Sequence, residues 1–328
     1  MVDPTNCSIP CNLCGSSHVR QIADRDRDGA PLRTVMCECC GLVWTDPRPD
    51  DAANRRFYAE DYRLSYKATP TPKRKHALRE SRRALARYER IQPLLRPGAR
   101  VLDVGAGAGF FPYVLQSHGV DVCGIEPNAG FCRWGCETFG VDVRSGFLQD
   151  FDFCAEPFDL ITLNHVLEHL PDPGAALAIL RTWLKPEGVL VVEVPNIESR
   201  WHAPEKRFHI GHLYNFNPDN LLRLARCRGL VPADVRLQPE TAHINVVFRR
   251  VEPEASGTDC RMPDNAERVA KALAAHTRLR HYASLAPHLR ALRKWAGYVG
   301  EYLSTRGGGS GREIADRVIA RPLAATVK

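Results

Sequence analysis

Val101-Leu102-Asp103-Val104-Gly105-Ala106-Gly107-Ala108-Gly109-Phe110-Phe111 reads as a buried strand, a tight loop and the first turn of a helix. Glycine lets the backbone come close to a ligand where any Cβ would collide. A dinucleotide site wants its third glycine three residues after the second. That place is Phe110 here, and the glycines run 105, 107, 109. Asp103, just before the loop, would repel a pyrophosphate and suits a ligand that carries a cation, such as an α-amino or sulfonium group. A glycine-rich loop also serves as a plain strand-to-helix turn, so the neighbouring sequence decides.

Phe110 to Ser117 continues as a helix up to Gly119. A second apolar run, Val120 to Ile125, closes in Glu126, followed by Pro127. An acidic side chain ending the second strand of a βαβ unit is placed to accept hydrogen bonds from both ribose hydroxyls. Val141 to Arg144 is a short third strand, with Gly146-Phe147-Leu148-Gln149 as the loop after it. Pro157 to Leu163 is the fourth strand and runs into Asn164-His165. Leu184 to Gly188 reads as a turn and Val189 to Asn196 as a fifth strand, and Val231–Leu237 and Ile244–Val251 supply the last two.

The segments DVGAGAG, FDLITLNHVLEHLPDP and LKPEGVLVVEVPN, in this order, resemble the motifs of class I methyltransferases that use S-adenosylmethionine (SAM). The resemblance implies an α/β fold, a seven-stranded Rossmann-like sheet that is mostly parallel with one antiparallel strand, over residues 98–251. It also implies a SAM site built from Asp103, Gly105, Gly107, Gly109, Phe110, Glu126, Pro127, Phe147, Leu148, Asn164 and His165. In such proteins the loop at Phe147 and Leu148 meets the adenine, and the end of the fourth strand faces the transferred methyl group.

Six of the twelve cysteines lie in the first forty residues. In a reducing compartment this clustering speaks for metal and not for disulfides. Cys11-x-x-Cys14-Gly and Cys37-x-x-Cys40-Gly are two knuckles that together offer four sulfurs to a tetrahedral zinc ion. Cys39 is the alternative ligand and Cys7 stays outside the set; a cluster of reduced structural cysteines is the competing reading. A closed four-sulfur site is structural, and so small a ribbon, residues 1–50, draws its folding energy from the metal. Chelation is therefore expected to unfold residues 1 to about 50 and to leave the SAM site in place. Residues 51–97 form a linker with Phe57, Tyr58, Tyr62 and Tyr66, a break at Pro70 and Pro72, and a helix carrying Leu78, Leu85, Tyr88 and Ile91. Sugar-modifying relatives with such a ribbon carry a similar tyrosine-rich segment over the SAM pocket; rings packed between domains are the plainer alternative.

A hydroxyl acceptor needs a base, and histidine suits this near neutral pH. His165 follows the fourth strand, and His212 and Tyr214 lie in RFHIGHLYNFN. That segment resembles one from which some sugar C-methyltransferases draw a histidine base and an orienting tyrosine, with His243 matching a further histidine. His212 is the first candidate base and His165 the second, while His169 and His209 read as structural. The extended C-terminal domain of those enzymes has no counterpart here, which favours O-methylation of a sugar, glycan or related small molecule.

Hydrophobic residues make up 44% and charged residues 25%, which excludes a disordered or membrane-spanning chain. The start lacks a basic and then apolar leader, so a cytoplasmic location is expected. Residues 252–328 read as a basic helical tail, and the whole positive surplus of +7 lies from Arg261 onward, where Lys and Arg number 13 against 5 acidic residues. Leu285, Leu289, Leu292, Ala296, Val299 and Leu303 share one face of a basic helix that packs on the protein, joins a second copy in a homo-oligomer, or lies on a membrane surface. Gly307 to Gly311 reads as a flexible linker. A tail of this charge keeps an rRNA or tRNA methyltransferase open as an alternative, although the Asn-Pro-Pro-aromatic signature is missing at the fourth strand. A non-catalytic ribbon module that binds partners is the other.

Overall fold

A computed structural model describes residues 6–61, 72–238, 241–251 and 260–320. Tyr62, Tyr66 and Pro70 lie outside the described residues, as does the side chain of Cys7. The chain divides into two compact units, one made of residues 1–54 and 163–290 and the other of 55–162 and 291–328.

The central sheet has seven strands: β1 Arg100–Val104, β2 Asp121–Glu126, β3 Asp142–Ser145, β4 Phe158–Asn164, β5 Leu184–Pro195, β6 Leu230–Gln238 and β7 His243–Arg250. Their order across the sheet is β6-β7-β5-β4-β1-β2-β3. The β1–β2 and β2–β3 pairs are parallel, while β7 runs antiparallel to both β5 and β6. This is the α/β sheet expected from the motifs, with the antiparallel strand inserted beside β5. The reversal at β1, where the sheet grows to both sides, leaves the crevice at the carboxyl ends of the strands in which α/β folds bind ligands. One boundary differs. Leu184 to Gly188 is not a free turn but the start of the twelve-residue strand β5.

In the unit of residues 55–162 and 291–328, helix Arg74–Ile91 buries Ala77, Leu78, Ser81, Ala84, Tyr88 and Ile91, the face that the spacing foretold, with Leu85 half-buried at its rim. Phe110, Phe139 and Tyr113 form an aromatic cluster, with Tyr113 stacked on Phe139 at 4.5 Å. Gly307 to Gly311 does not end in a loose tail. Ser310 caps helix Gly311–Ile319, with Glu313 completing a capping box, and Ile314, Ala315 and Val318 are buried. The Tyr113 hydroxyl donates to Asp316 of this helix.

In the unit of residues 1–54 and 163–290, strands Val19–Arg25, Pro31–Cys37 and Val43–Thr45 join Tyr214–Asn215 in a four-stranded sheet. Its core contains Leu32, Met36, Val43, Ile197, Phe208 and Val269. Val269 belongs to helix Pro263–Ala275, so the cysteine-rich head shares its core with segments far along the chain. Packing therefore does not stop at residue 50.

The basic helix is Leu285–Thr305. Its apolar stripe is left exposed by the described residues: Leu285 is 77% exposed, Leu292 64% and Leu303 60%. No described helix is long and apolar enough to cross a membrane.

Candidate active site

The turn after β1 is held by backbone hydrogen bonds and by the Glu126 carboxylate. Gly105 and Ala106 donate to the Ile125 carbonyl, and Gly109 donates to the Ala106 carbonyl. Gly105, Gly107 and Gly109 have φ of 76°, 59° and 75°, a left-handed region that side-chain-bearing residues avoid. Gly107 donates to a Glu126 carboxylate oxygen at 2.9 Å, and Asn128 donates to the other at 3.2 Å. Asp103 accepts the Thr162 hydroxyl at 2.7 Å. Both carboxylates are nearly buried, Asp103 at 4% and Glu126 at 5% exposure. A buried anion needs compensating partners, so this rim favours a ligand that brings donors and positive charge.

Gly146 donates to the Glu126 carbonyl at 3.1 Å, which brings the loop of Phe147 and Leu148 to the end of β2. Leu148 is buried, and Pro127 is half-buried. The Arg55 guanidinium lies 4.2 Å from the Phe147 ring centre while paired with Asp150 at 2.7 Å. The ring of Phe110 points into the aromatic cluster with Phe139 and Trp134, which leaves only its backbone at the helix start for a ligand. Asn128 donates to the Ala59 carbonyl at 2.7 Å, which ties segment Phe57–Asp61 to the loop after Glu126.

At the end of β4, Asn164 has a buried Nδ2 with no hydrogen-bond acceptor among the described residues. His165 adopts φ of 57°, and its N–H donates to the Glu193 carbonyl. A non-glycine residue in that region costs about 1–3 kcal/mol and persists where surroundings enforce it. Its ring is clamped: Nδ1 lies 3.3 Å from Glu168 and Nε2 3.1 Å from Glu193. Burial by itself would lower the His165 pKa, but Glu168 and Glu193 outweigh it and lift it to about 9. His165 is thus an imidazolium at neutral pH and poorly suited to take a proton. His243, on β7, stands 4.3 Å from the His165 ring and 3.7 Å from Glu193.

His212 has the opposite character. Burial, then His169 and His209, drives its pKa well below 6.5, so it is neutral and able to accept a proton. Its ring lies 3.8 Å from His209 and 4.9 Å from His169. Tyr214 is fully buried, accepts from Arg48 at 2.7 Å and donates to the Pro171 carbonyl at 3.3 Å. Both hydrogen-bonding directions of its hydroxyl are occupied, so Tyr214 orients its surroundings and does not act on a substrate directly. The glutamates were the residues that sequence reading passed over. Glu193 is the one carboxylate in the apolar run Val189–Pro195, and that anomaly was the available signal.

The knuckles converge. Cys11, Cys14, Cys37 and Cys40 hold their sulfurs within 4.8 Å of one another, with Cys11–Cys40 and Cys14–Cys37 both at 3.5 Å. Zinc–sulfur bonds of about 2.3 Å in a tetrahedron set sulfurs roughly 3.8 Å apart, so the set fits this ion. Cys39 turns away to Ser16 at 3.2 Å. Gly41, at φ of 78°, is required twice over: a Cβ there would fall 2.9 Å from the Ala266 backbone. Two further groups, His165 with Glu193 and His243, and Glu168 with His169 and His212, also bring possible ligand atoms within 4.8 Å of one another.

Residues 74–234 match the family described as a methyltransferase domain. The ubiquinone biosynthesis O-methyltransferase of Actinobacillus pleuropneumoniae is 36% identical over 109 residues, 30% of this chain and 47% of that protein. The enzyme of the same name from Cereibacter sphaeroides is 31% identical over 159 residues, 43% of this chain and 64% of that protein. The chain thus spans about half to two thirds of the length of these relatives. Among solved structures, the 1,6-didemethyltoxoflavin-N1-methyltransferase of Burkholderia thailandensis aligns over 72% of this chain and all of its own, at 20% identity and a TM-score of 0.48. With the sheet order and the motifs, the family match shows that residues 74–234 are a methyltransferase domain of the class I, SAM-dependent type.

Proposed function

We propose that this chain transfers the methyl group of SAM to a hydroxyl oxygen of a small-molecule acceptor. One observation carries the reading: a left-handed glycine turn flanked by two nearly buried carboxylates, Asp103 and Glu126. In this reading Glu126 takes the ribose diol and Asp103 favours the positive end of the donor. When bound, SAM supplies a methyl group on a sulfonium whose thioether leaves readily. The chain has then to align the acceptor oxygen with that methyl group and remove the hydroxyl proton. His212, neutral at pH 7, is the proposed base, and the His165 imidazolium between Glu168 and Glu193 holds the end of β4 in place. The four knuckle cysteines are proposed to hold a structural zinc ion.

The names of the relatives support an oxygen acceptor. A sugar or glycan is the narrower form of the proposal, supported by the knuckles and the histidine segment. The test is incubation of the zinc-loaded chain with methyl-labelled SAM against panels of phenols, sugars, nucleotide sugars and total RNA. Label is expected in a small hydroxyl compound, alkali-stable as an ether. Label confined to RNA, or to an amine, would replace the proposal.

A further inference from the structure

A cavity of about 530 Å³ opens within the unit of residues 1–54 and 163–290, a size typical of small-ligand sites. His243 stands in its wall, 3.7 Å from Glu193 and 4.3 Å from the His165 ring. Three arginines also line it, Arg200, Arg280 and Arg290. No carboxylate does. The nearest acidic side chains in sequence are engaged elsewhere: Glu198 with Arg268 and Asn217, and Glu205 with Tyr282 and Arg278.

None of the three arginines takes part in an ion pair among the described residues. Arg290 donates to the Trp201 carbonyl at 2.9 Å and lies 4.7 Å from the centre of that ring, so its guanidinium is held in place. Arg280 donates to the Ala275 carbonyl at 3.1 Å. The surplus of positive charge is felt by the histidines in the same wall. Burial and then Arg207, His281 and Arg200 press the His276 pKa down to about 4, and burial followed by Arg290 lowers that of His281. Glu205 opposes both shifts only in part, and cations gathered around a cavity repel one another, a repulsion that an anion relieves.

We propose that this cavity binds a small molecule with anionic oxygens, phosphate or carboxylate, gripped by Arg200, Arg280 and Arg290. The anion site goes beyond the methyltransferase reading and stands on its own observations. Guanidinium forks match the paired oxygens of phosphate and carboxylate, which gives orientation as well as affinity. A neutral ligand would leave the three arginines without an anionic partner among the described residues.

The test is calorimetric titration of the zinc-loaded full chain at low salt with inorganic pyrophosphate and, separately, with malonate. Each titration is run with and without S-adenosylhomocysteine (SAH), the product of the methyl donor. At least one anion is expected to bind saturably at one site, and which one does tells phosphate from carboxylate. The double variant Arg200→Gln/Arg280→Gln, both exposed positions, is expected to weaken that binding by about tenfold or more while SAH affinity stays unchanged. Arg20→Gln, an exposed arginine of the four-stranded sheet, controls for net charge and is expected to change nothing. Absence of binding by both anions, or a double variant that binds like the wild type, overturns the proposal. Failure of SAH to bind is a separate signal in the same series and counts against the methyltransferase reading.

Discussion

Stripping zinc from the knuckles is expected to abolish turnover while SAH still binds. Structural zinc contributes about 10–16 kcal/mol to the folding of small metal-dependent modules, as much as the whole stability of an ordinary domain at about 5–15 kcal/mol. From the sequence, that loss would be confined to residues 1–50. The structure carries it further. Val43 and Trp44 pair with Tyr214 and Asn215, the strand that directly follows His212 and Leu213. Thr45 donates to the Leu213 carbonyl, and Arg48 holds the Tyr214 hydroxyl. The Cys40 carbonyl receives the side-chain amides of both Asn220 and Asn265. Unfolding the head therefore releases the histidine segment and helix Pro263–Ala275 as well. Asp103, the glycine turn and Glu126 belong to the other unit and keep their own hydrogen bonds. The measurement is turnover and SAH affinity before and after chelation, with metal content followed in parallel. A chelated chain that keeps full turnover, or a purified chain free of zinc, would contradict the account.

His212→Ala is expected to cut kcat by about 10²–10⁴ while SAM affinity holds, the usual reach of a general base. The depressed pKa adds a second signature. His212 is already neutral below pH 6.5, so kcat stays flat from pH 6.5 to 8 and does not rise through an ordinary histidine titration. Unchanged turnover in the variant, or a wild-type profile with an apparent pKa near 6.5, would remove His212 from the proton transfer.

The glycine loop was legible because backbone chemistry leaves few choices: Gly105, Gly107 and Gly109 all occupy the left-handed region that their sequence foretold. The seven strands, one of them antiparallel, followed from the motifs, while their order across the sheet came from the structure. The four knuckle cysteines were legible for the same reason, as spacing fixes which sulfurs meet. What escaped the sequence was long-range. Nothing in the pattern of residues 263–275 says that this helix completes the core of a head more than 200 residues earlier. Arg200 lies 80 positions before Arg280, and only the fold brings both to one cavity. Helix Gly311–Ile319 was legible and overlooked: Ser310 and Glu313 spell a capping box straight after the glycines. The exposed stripe of Leu285–Thr305 shows the converse, since amphipathic spacing names a face and not what covers it.

The central claim is that the crevice beside Asp103, the glycine turn and Glu126 receives the methyl donor. Calorimetry of the folded, zinc-loaded chain with SAH measures this directly. The account predicts one site per chain, with affinity reduced about tenfold or more by Glu126→Ala through loss of charge-assisted hydrogen bonds to the ribose. No binding by the wild-type chain, or equal binding by Glu126→Ala, would contradict it.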